Sequence, residues 1–237
     1  MSTFYNSKNK VYAEISALTP TITADLKSKE LLPRGSALLT GAGKLAPDIS
    51  AIFHAATGTM MPYFPSQIYY EPSLLSVENA ISACFALGKA NGNTRLAIPY
   101  IGGKIFKGRI FEGQGVSEED QNNKLVASIV GASIINAKLT GLDFCFVVFD
   151  TATNLLFSHE IKKSYDEVDF SKQLMVGDIV DFSLHQCDGI VNAANMEVQF
   201  GGGISGAIAK ASQDQDNIDK EARSGIIQFW ADYEAGQ

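Results

Sequence analysis

The sequence predicts an α/β protein in which a mostly parallel sheet carries helices on both faces. Apolar runs of strand length alternate along the chain with longer segments whose apolar residues recur at helical spacing. One run, Phe144–Phe149 (FCFVVF), is the continuous aromatic and β-branched kind found in strands covered on both faces. Polar or glycine-rich loops follow several strands, and such loops bind ligands at the carboxyl ends of parallel strands.

The first part of the chain contains weak helix signals and two strands. Residues 11–18 (VYAEISAL) fit either a short strand or a helical turn. Thr23–Leu32 has the threonine start and mixed charges of a short surface helix. Gly35–Thr40 is predicted as a strand followed by a turn, and Ser50–Ala56 as a buried strand that ends in a loop rich in glycine and proline.

The next predicted element is a long helix. Pro72 and Ser73 open it, and Gly88 or Gly92 closes it. Arg95–Tyr100 (RLAIPY) then reads as a buried strand that leads into a second glycine-rich segment. The helix is predicted from apolar residues at helical spacing, namely Leu74, Val77, Ile81, Phe85 and Leu87.

A second long helix begins after Ser117, with acidic residues in its first turn, and stops at Gly141. The strand Phe144–Phe149 follows, and Leu155–Ile161 is predicted as another strand. The charged residues 162–172 (KKSYDEVDFSK) are predicted to form a surface connection.

The C-terminal part supplies two more predicted strands, Lys172–Gly177 and Asp188–Asn192, and one or two helices within Ile204–Tyr233. The three loops with a ligand-binding composition follow Asp178, Asn192 and Tyr100.

The segment Cys187–Ala211 (CDGIVNAANMEVQFGGGISGAIAKA) has the order strand, polar turn, glycine loop, helix. Glycines let backbone amides approach an anion, and the following helix presents its positive end, so this order favours a phosphate site. Its position is unusual, because no further strand follows it. Most of the sheet must therefore come from the sequence before the loop.

Composition limits the possible functions. The 237 residues are 46% hydrophobic and 19% charged, with a net charge of −7. A single domain over residues 1–237 is favoured over two small ones. The negative charge argues against general nucleic-acid binding and against anionic membranes, because both depend on clustered Lys and Arg. It leaves open a small anion bound by backbone amides.

The three cysteines, Cys84, Cys145 and Cys187, are far apart, odd in number and set in apolar contexts. They predict neither a disulfide framework nor a zinc site. No apolar run approaches the roughly 18 residues needed to span a bilayer, and residues 1–12 lack the apolar core of a signal peptide. We therefore expect a cytoplasmic protein.

Two parts of the chain resemble a known family. MVGDIV…DGIVNAANMEVQFGGGISGAIAKA, in residues 172–211, resembles the first half of a macrodomain, the ADP-ribose-binding fold. GSALLTGAGKLAPDISAIFHAATG…RLAIPYIGGKIFKG…FVVFD, in residues 35–161, is similar to the second half. The combination of VNAAN with GGG and GAI is the specific part of the match. Because the halves are swapped, the resemblance implies a circularly permuted macrodomain, a three-layer α/β/α sandwich with a mixed, mostly parallel sheet.

The resemblance implies roles for the residues of the first matching part. Asp178 would accept a hydrogen bond from the adenine amino group, with a backbone contact from Ile179; the alternative is an aspartate that caps a turn. Asn192 and Asn195 would bind ribose hydroxyls, and the alanines between them, including Ala194, would let the ligand approach. Asn192 has the alternative role of tying adjacent loops together.

Two loops would enclose the pyrophosphate. The first loop could instead be a tight structural turn without a ligand. In the second loop, Lys104 could place its cation on the diphosphate or could point into solvent. The Gly102-Gly103-Lys104 sequence departs from the family pattern. Phe106 would shield the distal ribose. Phe149 would either stack on adenine or belong to the core. The first loop comprises Gly201, Gly202, Gly203, Ile204 and Ser205, and the second Ile101, Gly102, Gly103, Lys104, Ile105 and Phe106.

The histidines carry no catalytic pattern. His54 and His159 lie in apolar, strand-like contexts and His185 in a predicted loop. Without a Ser or Cys partner or metal-ligand spacing, all three are interpreted as structural.

Two functions fit the resemblance. The first is a mono-ADP-ribosyl hydrolase, in which Asn195 fixes the distal ribose and the ligand's own diphosphate helps to activate a water. The second is a non-catalytic reader. One active subclass carries an aspartate where this chain has Ser205.

The partner would be ADP-ribose or a mono-ADP-ribosylated protein, with no cofactor and no metal. Poly(ADP-ribose) glycohydrolase chemistry is disfavoured because its paired glutamates do not follow the glycine loop. Dinucleotide redox chemistry is disfavoured because no following strand supplies an acidic residue about 20 positions after the loop.

Overall fold

The computed structural model describes residues 11–59, 70–103, 105–164 and 173–236. Six strands in these ranges form one sheet with the order β1-β2-β6-β3-β4-β5. β1 is antiparallel to β2, and every other neighbouring pair is parallel. The fold is therefore α/β with a mixed, mostly parallel sheet. The strands are β1 (Ser36–Thr40), β2 (Ala51–Ala56), β3 (Arg95–Ile98), β4 (Asp143–Val148), β5 (Leu174–Val176) and β6 (Gly189–Ala194).

The two long helices have the ends that their sequences predict. The hydroxyls of Ser73 and Ser117 accept hydrogen bonds from backbone amides in the first turns. Gly92 and Gly141 end the helices in the left-handed conformation, with φ of 82° and 74°. The helices of the described ranges are α1 (residues 11–16), α2 (Pro20–Ser28), α3 (Leu74–Asn91), α4 (Ile105–Ile110), α5 (Glu118–Thr140), α6 (Thr151–Ser164), α7 (Phe182–His185), α8 (Gly203–Ser212) and α9 (Gln215–Ala235).

Apolar clusters lie on both faces of the sheet. On one face, strand residues such as Phe53 and Phe146 pack with α3, α5 and α6. On the other face, Ile190 packs with Ile208 of α8 and Ile218 of α9, while α1 and α2 join α9 in an adjacent cluster. The two layers of helices around one sheet are consistent with a three-layer sandwich. None of the helices in the described ranges has the length and apolar character needed to cross a membrane.

The predicted strand Leu155–Ile161 is wrong, because these residues lie in α6. Phe157 and Ile161, one helical turn apart, are both buried against the sheet, whereas Leu155 is exposed. Asp150 accepts a hydrogen bond from the amide of Thr153 and so caps the start of this helix (2.7 Å). The predicted surface connection after α6 lies mostly outside the described residues.

The N-terminal predictions are partly correct. Residues 11–16 are helical, which decides between strand and helical turn. The second helix begins at Pro20 rather than Thr23 because the Thr19 hydroxyl caps it and proline favours the first turn. Leu31 and Leu32 lie beyond its end and are buried in the core.

The last strand in the chain lies in the middle of the sheet. β6 pairs with β2 on one side and with β3 on the other. Residues 195–236 add helices but no strand. The expectation that earlier sequence supplies most of the sheet is therefore confirmed. The glycine loop follows a central strand of the sheet and not an edge strand.

Candidate functional site

The predicted loops meet at one edge of the sheet. β2, β6, β3, β4 and β5 are parallel, so the loops that follow them all lie at what we call the carboxyl edge. Along this edge β6 is separated from β5 by β3 and β4, which makes three strand intervals. At a spacing of about 4.8 Å the span from the loop after β6 to the loop after β5 is about 14 Å. An elongated ligand is needed to reach both ends.

The glycine loop Gly201–Gly203 leads into the N-terminus of α8. Gly202 is the N-cap residue, and no side chain caps the amides of the first turn. The amide of Gly201 does have a partner, because it donates a hydrogen bond to Ser205 Oγ at 3.2 Å. The loop is thus closed by Ser205, and the uncapped amides form a partial positive charge at the helix end.

Packing does not require glycine at the first two positions of this loop. A Cβ atom built on Gly201 or Gly202 would meet no atom within 4 Å. Neither residue has a positive φ, whereas Gly203 does, at 63°. Neither packing nor backbone conformation therefore requires glycine at positions 201 and 202, and the space above the backbone is open.

Asn195 is held in a tight turn directly after β6. Its carbonyl accepts a hydrogen bond from the amide of Val198 (3.2 Å), and its side-chain oxygen accepts one from Gln199 (3.4 Å). The next residue, Met196, donates to the carbonyl of Gly58 in the loop after β2 (3.1 Å). The half-buried Asn195 side chain is therefore held within the turn, and the turn is hydrogen-bonded to the loop after β2.

Asn192 is fully buried, and its side chain ties two strands rather than two loops. Its amide nitrogen lies 3.1 Å from Nδ1 of His54 on β2. The other ring nitrogen of His54 lies 2.9 Å from the hydroxyl of Thr40 on β1. Burial lowers the pKa of His54 to about 3, so the imidazole is neutral. The contacts of Asn192 are structural, as in the alternative role, but they join two strands and not two loops.

Phe149 and Asp178 follow two paired strands at the far end of the edge. Val148 and Val176 are register partners, so the next residues of both strands emerge side by side. Phe149 is 80% exposed and is not a core residue. One oxygen of the exposed Asp178 accepts a hydrogen bond from the amide of Val180 (3.2 Å), as in the predicted turn cap. The second oxygen of Asp178 has no hydrogen-bond donor among the described residues.

Two further residues predicted to line the carboxyl edge, Ile179 and Ala194, are buried. The Ile179 side chain lies in the core, and its carbonyl accepts a hydrogen bond from Nε2 of His185 (2.9 Å). Ala194 at the end of β6 is also buried. Both residues can reach a ligand only through the backbone.

The second glycine loop is shorter than predicted and tightly packed. Ile101 is buried, Gly102 has a φ of 76°, and a Cβ on Gly103 would lie 2.1 Å from the Tyr100 ring. Lys104 and the side chain of Ile105 lie outside the described residues. The prediction of a loop as far as Phe106 is wrong, because α4 begins at Ile105 and its first turn contains the half-buried Phe106.

The histidine contexts need two corrections. His159 is exposed on α6 rather than on a strand. His185 is in α7 rather than in a loop, where its Nε2 donates to Ile179 and its Nδ1 accepts from the amide of Cys187 (3.0 Å). Burial lowers the pKa of His185. No group of three or more His, Cys, Asp or Glu side chains in the described ranges is arranged to hold a metal.

A groove of about 590 Å³ lies at the opposite edge of the sheet, between the end of β1 and α9. No motif in the sequence indicates it. Several of its polar groups are hydrogen-bonded within the protein: the Gly41 amide donates to Glu221 (2.7 Å), and Asn217 donates to Asp214 (2.7 Å). We favour the carboxyl edge as the candidate site because its glycine loop and the Phe149 ring are exposed and no side chain caps the first turn of α8. The groove is lined by Leu39, Thr40, Gly41, Asp214, Asn217, Lys220, Glu221 and Ser224.

The chain matches no protein-family model and no curated protein sequence. What the carboxyl edge does therefore has to be inferred from its residues and their geometry.

Proposed function

We propose that the protein is a circularly permuted macrodomain that binds ADP-ribose along the carboxyl edge. The observation that carries the proposal is the exposed glycine loop after the central strand. Gly201 and Gly202 leave space that packing does not require, and the first turn of α8 has no side-chain cap. A diphosphate fits this position, because backbone amides and the positive end of a helix stabilise anions.

The ends of the ligand would reach opposite ends of the edge. Adenine would stack on the exposed ring of Phe149 and donate its amino hydrogen to Asp178. The distal ribose would lie at Asn195, three strand intervals away. A dinucleotide-like ligand is long enough for this span, whereas a free phosphate would occupy the glycine loop alone.

The strand order supports the permuted arrangement. Segments 35–161 and 172–211 both contribute strands to one sheet, and the later segment supplies the central strand β6. In a permuted macrodomain the family's own ends are joined through residues 161–172, and new ends open on the surface. The late position of the glycine loop follows directly from that rearrangement.

Hydrolysis of mono-ADP-ribose is the activity that we propose for this site. Asn195 would orient the distal ribose, and the bound diphosphate would help to activate a water near its anomeric carbon. No strong protein base is needed. The products are free ADP-ribose and the unmodified acceptor side chain, with water supplying the oxygen and the proton.

A non-catalytic reader is the second candidate, and Ser205 favours it. This residue stands where one active subclass has an aspartate, and its hydroxyl is already engaged with the amide of Gly201. A serine in that contact holds the loop closed but brings no carboxylate to the ribose.

Incubation with a mono-ADP-ribosylated protein distinguishes the two candidates. The hydrolase releases ADP-ribose, and Asn195→Ala abolishes the release. Asn217→Ala at the opposite edge is the matched control and should release ADP-ribose at the wild-type rate. Tight calorimetric binding without release would establish the reader. The absence of both heat and a thermal shift at millimolar ADP-ribose would defeat both candidates.

A further inference from the structure

Three buried polar side chains from neighbouring strands form a continuous hydrogen-bonded chain, which we call the polar bridge. It consists of Thr40 on β1, His54 on β2 and Asn192 on β6. All three residues are buried, and His54 and Asn192 are direct register partners. The bridge therefore links the edge strand β1 to the central strand from which the glycine loop leaves.

The donors and acceptors of the bridge are consistent with one arrangement. The amide nitrogen of Asn192 can only donate, so Nδ1 of His54 accepts its hydrogen bond at 3.1 Å. The neutral ring then carries its hydrogen on Nε2 and donates to Thr40 Oγ1 at 2.9 Å. The Thr40 hydroxyl in turn donates to the carbonyl of Gly41 at 3.2 Å. The orientation of the imidazole ring is thereby fixed.

The His54 ring also contacts the segment that carries the glycine loop. The centroid of the Phe200 ring lies 5.6 Å from that of His54, in an edge-on arrangement. Phe200 directly precedes Gly201 and packs on the same face of the sheet as α8. The ring held by Asn192 and Thr40 is thus the surface on which the start of the loop rests.

The bridge is not optimised for stability. The side-chain oxygen of Asn192 is buried and has no hydrogen-bond partner within the part of the chain that the structure describes. A buried polar atom without a partner is unfavourable, so two apolar residues at positions 54 and 192 would be expected to serve the core at least as well. The polar bridge therefore needs an explanation other than the stability of the sheet.

We infer that His54 and Asn192 are positioning residues for the glycine loop. Asn192 orients the His54 ring through its hydrogen bond, and the ring packs against Phe200. The position of Phe200 then determines the position of Gly201–Gly203 relative to the end of β6. The consequence for ligand binding rests on the proposed function, whereas the consequence for the order of the loop does not. Asn192 acts through His54 and Phe200, without touching the ligand.

Amide hydrogen exchange in the ligand-free protein tests the positioning directly. Asn192→Ala and Phe200→Leu should accelerate exchange of residues 200–205 about tenfold, as expected when a tertiary contact is lost. Phe200→Tyr keeps the ring and should restore slow exchange. The strand β3, probed at residues 95–98, should be unaffected. Unchanged exchange of the loop, or an equal increase in loop and strand, would overturn the inference.

The Phe200 pair keeps the test decisive if Asn192→Ala fails to fold, because Phe200 is only half-buried. ADP-ribose titration then gives a second, separate result. Failure of the wild-type protein to bind would defeat the proposed function but leave the exchange result standing. If the wild type binds, Phe200→Leu should weaken binding about tenfold, since a disordered loop must be ordered again on binding. Wild-type affinity in a variant whose loop exchanges fast would overturn the role of the bridge in binding.

Discussion

The two glycine-rich loops of the carboxyl edge have similar sequences and different reasons for their glycines. In the loop after β3, a side chain on Gly103 would collide with the Tyr100 ring, and Gly102 has a positive φ. In the loop after β6, side chains on Gly201 and Gly202 would meet nothing. The first loop therefore needs glycine in order to fold. The second has two glycines that packing does not require and that the proposed anion site would explain.

The difference shows how a glycine motif should be interpreted. A run of glycines in a sequence is typical of both a tight turn and a phosphate loop. The environment of each Cβ position shows which glycines packing requires. Packing requires Gly103 but not Gly201 or Gly202, which leaves the loop Gly201–Gly203 as the ligand-binding candidate.

The largest expected effect is on stability, from Gly103→Ala. Its Cβ would lie 2.1 Å from the Tyr100 ring, and relief of such overpacking costs about 3 kcal/mol. Urea unfolding should show this loss in the free energy of unfolding. Gly202→Ala, with open space around it, should change that free energy by less than about 0.5 kcal/mol. Equal losses in the two variants would remove the distinction between the loops.

The second-largest expected effect is the dependence of the free energy of unfolding on pH. It concerns the loop Gly201–Gly203, because neutral His54 packs against Phe200 at the start of that loop. The folded pKa of about 3 is below the ordinary 6.5, so the unfolded chain takes up the proton first. The contribution of His54 to stability is complete above pH 6.5 and is lost as the pH falls towards 3. Between pH 6.5 and 5 this loss amounts to about 2 kcal/mol.

Comparison of wild type with His54→Gln isolates that contribution, since the other titrating groups, including His185, are present in both proteins. The free energy of unfolding of the variant should depend less on pH in this window. Parallel pH profiles for the two proteins would mean that His54 is protonated in the fold, against the arrangement of the polar bridge.

At the far end of the edge, Phe149→Ala should weaken ADP-ribose binding about tenfold, which corresponds to about 1.4 kcal/mol of lost stacking. The stability of the protein should not change, because the ring is 80% exposed. Calorimetry and thermal unfolding measure the two quantities. A drop in melting temperature with unchanged affinity would show that Phe149 serves the fold instead.

The smallest expected effect comes from Ser205→Ala. The variant loses one hydrogen bond, from the Gly201 amide to Ser205 Oγ, worth about 1 kcal/mol or a fivefold change in affinity. We expect ADP-ribose to bind about fivefold more weakly because the open loop must close again. Tighter binding would instead indicate that the Gly201 amide is released to hold the phosphate.

Much of the fold follows from local sequence signals. The ends of α3 and α5 are set by serine caps and by glycines, which act within a few residues. α6 was not predicted, because the apolar residues of Leu155–Ile161 satisfy a strand pattern as well as a helix pattern. The Asp150 cap is the signal that would have identified it.

The location of the site follows from topology, since parallel strands bring their following loops to one edge. The environment inside the site does not. The contact of Asn192 with His54 joins residues that are 138 positions apart, and the packing of Gly103 depends on the direction of one tyrosine ring. Such pairings are set by the assembled sheet, and no local pattern of the sequence encodes them.

Titration of the isotope-labelled protein with ADP-ribose, followed through its backbone amide resonances, tests the central claim most directly. We predict saturable shifts at Gly202, Gly203 and Ser205, with the resonances of Gly41 and Asn217 at the opposite groove unchanged. Shifts confined to Gly41 and Asn217, or no shifts at millimolar ADP-ribose, would contradict the claim.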